Sequence, residues 1–559
     1  MSDESADGLP VPGRDAPEWR TSSLVTLLRR RAAERPDAGA LADAPNRGDW
    51  CAGPVRDLNW AELVALVDRT AAALAGAGVG AGDRVGVQLP NVSELVVIEL
   101  AVWARGAVAV PFPVQHRRHE IETGWRTAGL TTFVTAERPD RPEHLETIAA
   151  VADAEGGRVL TLDGAGPGTD ALDIPVEVTD APSATGEVDD PSPDDPATIC
   201  WTSGTTGTPK GVPRTHRMWT AAGYFNVAGV GLGADDVVLC PFPLVNMAGI
   251  GGMLVPWLLT GYRLVLHQPF DLATFLGQIE SERVTYTVAP PVLLSQLLRA
   301  PALLERVDLA SLRVIGSGSA PLDPDMVAGW EETHGIEVVN IYGSNEGAAL
   351  LSSRRLVADP RRRARDFPAI GRDDGSWPTP IDSLNRTRLV DPGSGREVDE
   401  PGGVGELRLS GPTVFDGYLD SDGEEFDEAG YFRTGDLFAL VVDEEGRRYY
   451  RFVDRAKDII IRGGMNISAA ELEGLLASHP AVREVAVVGA PGGDMGEQVA
   501  AVVVADDPPP TLEDLVGHLR AAGVASYKLP QRVLVVDELP RNPLGKVVKS
   551  DLRRLVAEG

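Results

Sequence analysis

From Asn59 to Asp308, segments with helical spacing of apolar residues alternate with short apolar runs, and this alternation leaves few architectures open. Between Asn59 and Ala77, Leu63, Val64, Val67, Ala71 and Leu74 recur at helical spacing. The run Arg84-Val-Gly-Val-Gln-Leu89 reads as a strand, Ser93 to Arg105 as a second helix, and AVAVPF from Ala107 as a second strand. Such alternation predicts α/β layers around a largely parallel sheet. After Ala358 the texture changes to RTRLVD, GELRLSG, FALVVDEEG and RRYYRFVD, which predict an attached β-rich subdomain. The last stretch reads as a small α+β unit: helix Ala469 to Ser478, strand VREVAVVG, helix Leu512 to Ala522, strand RVLVVDEL.

Charge divides the chain in the same way. The 559 residues carry a net charge of -30, yet residues 455–559 hold only -2 of it and residues 1–454 hold -28. We therefore expect two domains, 1–454 and 455–559, with a boundary near Asp454. A surface this acidic repels phosphate backbones and anionic lipid heads, so nucleic acid is a poor partner. The apolar stretch Leu95 to Val114 is broken by Glu99, Arg105 and Pro111, so no membrane span is expected. Three scattered cysteines (Cys51, Cys200, Cys240) and a polar, acidic start fit a cytoplasmic protein. Residues 1–20 read as a loose tail and residues 165–197, rich in Pro, Gly, Asp and Ser, as a loop. No internal repeat is evident.

Of 52 basic residues only five are lysine: Lys210, Lys457, Lys528, Lys546 and Lys549. A compact ammonium reaches a single crowded oxygen better than a planar guanidinium does. Lysines kept in such an arginine-rich chain are candidates for that work. Lys528 and Lys549 lack a chemical setting and read as surface residues.

Lys210 has one. Thr202-Ser203-Gly204-Thr205-Thr206-Gly207-Thr-Pro-Lys210-Gly211 directly follows an apolar strand. Its hydroxyls, glycines and lysine make a donor-rich loop able to wrap phosphates. It is not a Walker A loop, because Lys210 follows Pro209 and precedes Gly211. The loop resembles the phosphate-binding motif of the acyl-adenylate-forming (AMP-binding) superfamily: acid–CoA ligases, aryl-acid adenylating enzymes, peptide-synthetase adenylation domains and luciferases.

Further segments resemble the family's other stations, in family order. Gly316-Ser-Gly318-Ser319-Ala320-Pro321 resembles the turn beneath adenine. Asn340-Ile341-Tyr342-Gly343-Ser344-Asn345-Glu346 resembles the nucleotide segment. By that resemblance Tyr342 would lie against adenine, and Glu346, with Thr206, would hold Mg²⁺ on the ATP phosphates. Asn345 stands where the family more often has threonine. Tyr431-Phe-Arg-Thr-Gly-Asp436-Leu resembles the ribose station, with Asp436 accepting from both hydroxyls. Arg455-Ala-Lys457-Asp-Ile-Ile-Ile-Arg-Gly-Gly464 resembles the hinge. Arg455 would contact ribose or phosphate and Lys457 would be the pivot of the C-terminal domain, while Asp454 replaces the usual glycine. Pro540-Arg-Asn-Pro-Leu-Gly-Lys546 resembles the last motif, whose lysine would reach the carboxylate and the α-phosphate.

The resemblance implies a large N-terminal domain of α/β subdomains with a β-rich part, and a small mobile C-terminal cap. It implies an enzyme that uses ATP and Mg²⁺ to convert a carboxylic acid to acyl-AMP, releasing pyrophosphate, then passes the acyl group to coenzyme A. A carrier protein, or a partner ligase after adenylation alone, is the alternative acceptor route. A nucleotide-binding regulatory relative without turnover is the alternative of another class, against which Lys546, Glu346 and Asp436 speak. Pro241 to Gly252 would line the acyl pocket, through Asn246, Met247, Gly249 and Gly251, with Gly318 and His216 beside them. The segment carries no Asp to pair with an amino group, and its glycines predict a roomy apolar site for a hydrophobic acid. For His216 a packing role is an equal reading. Two decoys are set aside. Gly76-Ala-Gly-Val-Gly-Ala81 follows a helix, the reverse of a dinucleotide site, and reads as a helix end. Asp382-Ser383-Leu384 matches a carrier attachment triplet without the helices a carrier needs.

Overall fold

The computed structural model describes residues 20–138, 141–162, 164, 166, 168–172, 190–202, 210–372, 377, 379, 381, 384–462, 465–491, 497–522, 524, 526–542 and 546–558, with only the backbone of 348, 349, 465 and 466. The tail before Arg20, most of 165–197, Ser203 to Pro209, Asp382, Ser383, Gly463 and Gly464 lie outside them. The described residues form two units, drawn from 1–364, 370–386 and 409–432 in the first and 365–369, 387–408 and 433–559 in the second.

The first unit holds two largely parallel sheets, as the alternation requires. In one, the strands Arg84–Gln88, Val108–Pro111, Thr132–Thr135, Arg158–Thr161 and Pro196–Thr202 are linked by parallel pairing, and Lys210–Thr215 closes one edge antiparallel. In the other, Gly39–Ala42, Arg263–Leu266, Val237–Cys240, Tyr286–Val288, Val314–Gly318 and Glu337–Ser344 run parallel, with antiparallel strands Asp57–Asn59 and Gly347–Ser352 at the edges. Helix Trp60–Gly76 starts on a capping box made by Asn59 and Glu62. It ends where the Gly76–Ala81 run was read as a helix end, with Gly78 at φ 85°.

Helix Ser93–Ala104 is buried from Ser93 to Trp103, which explains a run apolar on every face. Glu99 sits in it with no exposure and, among the described residues, no hydrogen-bond partner for either carboxylate oxygen, and burial raises its carboxyl well above the usual carboxylate range. Among the described residues no helix is long and apolar enough to cross a membrane.

The second unit contains a five-stranded sheet in the order Asp366–Pro368, Arg448–Arg455, Phe432–Val442, Val404–Ser410, Arg386–Val390, the β-rich texture anticipated after Ala358. It continues into hairpin Ile460–Arg462/Met465–Ile467 and a three-stranded sheet, Val482–Pro491, Glu497–Ala505 and Arg532–Val535. Helices Ala469–Leu476, Leu512–Ala521 and Lys549–Glu558 accompany that sheet. Leu472, Leu476, Val487, Val499, Leu515 and Leu519 form one apolar core, and Val488, Val502, Leu552 and Val556 belong to another.

Candidate active site

The phosphate-type loop leaves one strand and re-enters its neighbour. Thr202 ends Pro196–Thr202, Lys210 begins Lys210–Thr215, and the two residues face each other in register. The hydroxyl–glycine residues between them, Ser203, Gly204, Thr205, Thr206 and Gly207, fall outside the described residues. Lys210 is exposed, and its ammonium lies 4.5 Å from the ring centroid of Tyr418. The Tyr418 hydroxyl donates to Oε1 of Glu346 at 2.9 Å. Glu346 is buried at 8% exposure, and burial beside it pushes the Tyr418 phenol upward, so that hydroxyl keeps its proton.

Asn345 ties three segments together. Its Nδ2 donates to the Trp201 carbonyl at 2.8 Å, its Oδ1 accepts from the Met247 N–H at 2.8 Å, and its own carbonyl accepts from Arg214 at 2.7 Å. One amide therefore joins the strand entering the phosphate loop to the start of the acyl segment. A threonine hydroxyl has one donor and no such reach, which gives the departure at this position a physical purpose.

Arg214 was not singled out from the sequence. It is buried, donates also to the Thr413 carbonyl at 2.5 Å, and lies 4.8 Å from the Trp219 ring. Burial lowers its guanidinium to about 10, against the raising influence of Cys200, Glu346 and Asp416, so it remains a cation at neutral pH. The segment following Thr413 was missed as well. The Phe415 N–H donates to the Glu346 carbonyl at 2.8 Å and the Leu419 N–H to the Gly211 carbonyl at 3.0 Å. It thus spans from the carboxylate station to the exit of the phosphate loop. Its only sequence signal is an aromatic pair, Phe415 and Tyr418, among acidic residues.

At the adenine-type turn, strands Val314–Gly318 and Glu337–Ser344 pair through Gly318 and Ile341. A Cβ at Gly318 would stand 2.1 Å from the Ile341 carbonyl oxygen, so only glycine fits. Ser319 adopts φ 69°, and both Ser319 and Ala320 are exposed. Asn340 is turned to structure, its Nδ2 donating to the Ala364 carbonyl at 2.8 Å. Ile341 and Tyr342 are half-buried, and Gly343 and Ser344 are exposed.

The acyl-type segment begins at Asn246, whose side chain accepts from the N–H groups of Ala248 at 3.0 Å and Gly249 at 3.1 Å. It thereby caps a wide π-type helix, Met247–Leu254. The structure corrects the reading of its glycines as spare room. A Cβ at Gly249 would meet the Pro243 carbonyl oxygen at 2.2 Å, and one at Gly251 the Met247 sulfur at 2.5 Å. These glycines permit close packing instead. His216, which begins helix His216–Val230, is buried at 1% exposure, and its Nδ1 accepts from the Leu24 N–H at 3.4 Å. Burial lowers the ring to about 3, so it is neutral and offers an acid no charge.

The remaining stations belong to the second unit. Asp436 and Arg455 pair across Phe432–Val442 and Arg448–Arg455, with Arg455 Nε 3.4 Å from Asp436 Oδ1. The Ala456 N–H donates to the Gly435 carbonyl at 2.9 Å, closing the turn that carries Lys457. Burial is the first cause that holds the Lys457 ammonium below its usual range, followed by the Arg455 charge. Asp454 is 3% exposed, and its carboxylate accepts from the Arg455 N–H at 2.7 Å, the Ser468 hydroxyl at 3.0 Å and the Ala470 N–H at 3.0 Å. Lys546 is exposed, and its N–H donates to Asn542 Oδ1 at 2.9 Å. Lys528 and Lys549 form ion pairs with Glu471 and Glu473 at 2.6 and 2.9 Å.

Comparison with known proteins places this geometry. The family described as AMP-binding enzyme matches residues 28–419, and the AMP-binding enzyme C-terminal domain matches residues 471–546. The chain belongs to the AMP-binding enzyme family. It is 34% identical to an indoleacetate–CoA ligase of Aromatoleum aromaticum, over 90% of this chain and 94% of that one. It is 33% identical to a salicyl-AMP ligase / salicyl-S-ArCP synthetase of Mycobacterium tuberculosis, over 97% and 92%. Among solved structures, ATP-bound MatB of Rhodopseudomonas palustris superposes with a TM-score of 0.79 at 30% identity, covering 96% of this chain and 99% of that one. This AMP-binding enzyme is therefore an adenylate-forming ligase of the acyl-CoA synthetase type, with the mixed α/β fold of that family.

Proposed function

We propose that this enzyme activates a hydrophobic carboxylic acid to acyl-AMP and transfers the acyl group to the thiol of coenzyme A. The observation that carries the reading is the Asn345 side chain, which joins the entry to the phosphate loop and the apolar turn at Met247. A phosphate station and an acyl station held by one amide suit a reaction between a carboxylate and a nucleoside triphosphate.

A carboxylate acylates poorly because its leaving group would be oxide. In the first step its oxygen attacks the α-phosphorus, the bond to the β-phosphate oxygen breaks, and pyrophosphate leaves. In the second, the thiol sulfur attacks the acyl carbonyl, loses its proton, and the C–O bond to AMP breaks. The obstacle in the first step is repulsion between anions, and preorganised cations and donors offset it most where charge redistributes. On this reading Lys210 and the Thr202–Gly207 loop hold the phosphates, Tyr342 and Gly318 to Ala320 flank adenine, and Asp436 with Arg455 holds ribose. Lys546 neutralises charge between acid and α-phosphate. Residues 455–559 act as the cap that turns about Lys457, and residues 1–454 as the body.

The donor set fits Mg²⁺ bound chiefly through phosphates. Glu346 makes no ion pair among the described residues, and Tyr418 engages only its Oε1. No group of three or more His, Cys, Asp or Glu able to hold a metal occurs among them. Mg²⁺ favours such a site, with one carboxylate plus water and phosphate oxygens, and when bound it neutralises charge on the triphosphate. Thr206, its other expected contact, lies outside the described residues. A hydrophobic acid is supported by Met247, Ile250 and Trp219 at the acyl segment, and by a His216 that stays neutral.

Pyrophosphate exchange against a panel of aryl, aliphatic and amino acids, with and without coenzyme A, tests the assignment. Exchange should be driven by hydrophobic acids, and coenzyme A should convert the adenylate to thioester. Preference for an amino acid would overturn the acid assignment. Thioester formation only with an added carrier protein would move the acceptor to the carrier route that the salicyl-AMP relative's name describes.

A further inference from the structure

Tyr418 lies outside every motif described above, yet it touches two of them. Its ring face meets the Lys210 ammonium at 4.5 Å from the centroid, and its hydroxyl donates to Glu346 Oε1 at 2.9 Å. The side chain is itself fixed. Phe415 packs against the ring at 4.9 Å between centroids, and the Tyr418 N–H donates to Glu425 Oε1 at 3.1 Å. The Phe415 and Leu419 N–H groups anchor the same segment to Glu346 and Gly211.

The placement solves an electrostatic problem that the nucleotide site carries within itself. A lysine meant for phosphate and a carboxylate meant for a cation attract each other. If they met, each would cancel the charge the other needs, and both would have to be separated before nucleotide could bind. The aromatic ring offers the ammonium a weak acceptor other than the carboxylate. The hydroxyl fixes one carboxylate oxygen, and among the described residues the other takes no hydrogen bond.

We propose that Tyr418 is a positioning residue that keeps Lys210 and Glu346 apart and aimed before nucleotide and metal arrive. The proposal rests on the functional reading above. It assigns the hydroxyl to the metal-dependent part of ATP binding and the ring to the metal-independent part.

Titration of ATP onto the full chain, in EDTA and across a range of Mg²⁺, separates these parts without turnover. Tyr418→Phe keeps the ring, so binding in EDTA should match wild type. Its tightening by Mg²⁺ should fall about tenfold, the scale of one hydrogen bond to a charged group. Tyr418→Leu should lose both, with binding in EDTA weaker by about threefold as well. In a Glu346→Gln background, Tyr418→Phe should have no further effect on the Mg²⁺ dependence. The melting temperature of the Phe variant without nucleotide should stay near wild type. An unchanged Mg²⁺ dependence in Tyr418→Phe, or equal weakening with and without Mg²⁺, overturns the inference while leaving the nucleotide site intact. Failure of the wild type to bind ATP at all overturns the functional reading and this inference with it.

Discussion

The two units hold their candidate site residues in different ways. In the first, Arg214, Asn345 and Glu346 are partly or wholly buried and joined through backbone carbonyls and side chains of distant segments. In the second, Lys546 and Arg455 are exposed, with the Lys546 N–H bonded to Asn542 and the Arg455 guanidinium near Asp436 on the neighbouring strand. On the proposed reading the first is a preorganised receptor, while the second presents reagents on short supports. Electrostatic catalysis needs donors fixed in advance where charge develops.

Three substitutions test that contrast. The largest effect on activity is expected for Lys546→Ala. Adenylation, read by pyrophosphate exchange, should fall about a thousandfold, with an unchanged melting temperature and normal transfer from preformed acyl-AMP to thiol. Retained exchange would remove Lys546 from the chemistry and leave the second unit without its assigned reagent. Arg214→Met should do the opposite and act first through stability. It leaves the Asn345 and Thr413 carbonyls without their donor, and a loss of about 3 kcal/mol is expected in chemical denaturation. An unaltered denaturation midpoint would show that the buried cluster is not what holds the first unit's site together. The smallest effect belongs to Asp454→Gly, which introduces the glycine that the resemblance leads one to expect there. It removes the acceptor of the Arg455 and Ala470 N–H groups, so the second unit should melt with about 1 kcal/mol less stability. Loss of exchange activity with no change in that transition would instead make Asp454 a residue of the chemistry.

The contrast also explains what could be read from the chain. The alternation up to Asp308 and the β texture after Ala358 were legible because burial of a sheet imposes local periodicity. The family was legible because each motif that resembles it is a contiguous run of residues. Arg214, Tyr418 and the purpose of Asn345 were not. Arg214 meets partners 131 and 199 positions away, and Tyr418 meets Glu346 across 72 positions. The glycines of the acyl segment were misread for the same reason, since Pro243 folds back against Gly249 only once the π-type turn is wound.

Sequence alone therefore determined the layer architecture and the family, because periodicity and loop chemistry are properties of neighbouring residues. Tertiary structure alone decided which cation stays buried, which amide joins two distant segments and which ring touches both a lysine and a carboxylate. Those outcomes depend on side chains from distant segments sharing a few ångströms of low-dielectric space, where an unpaired charge or donor is costly.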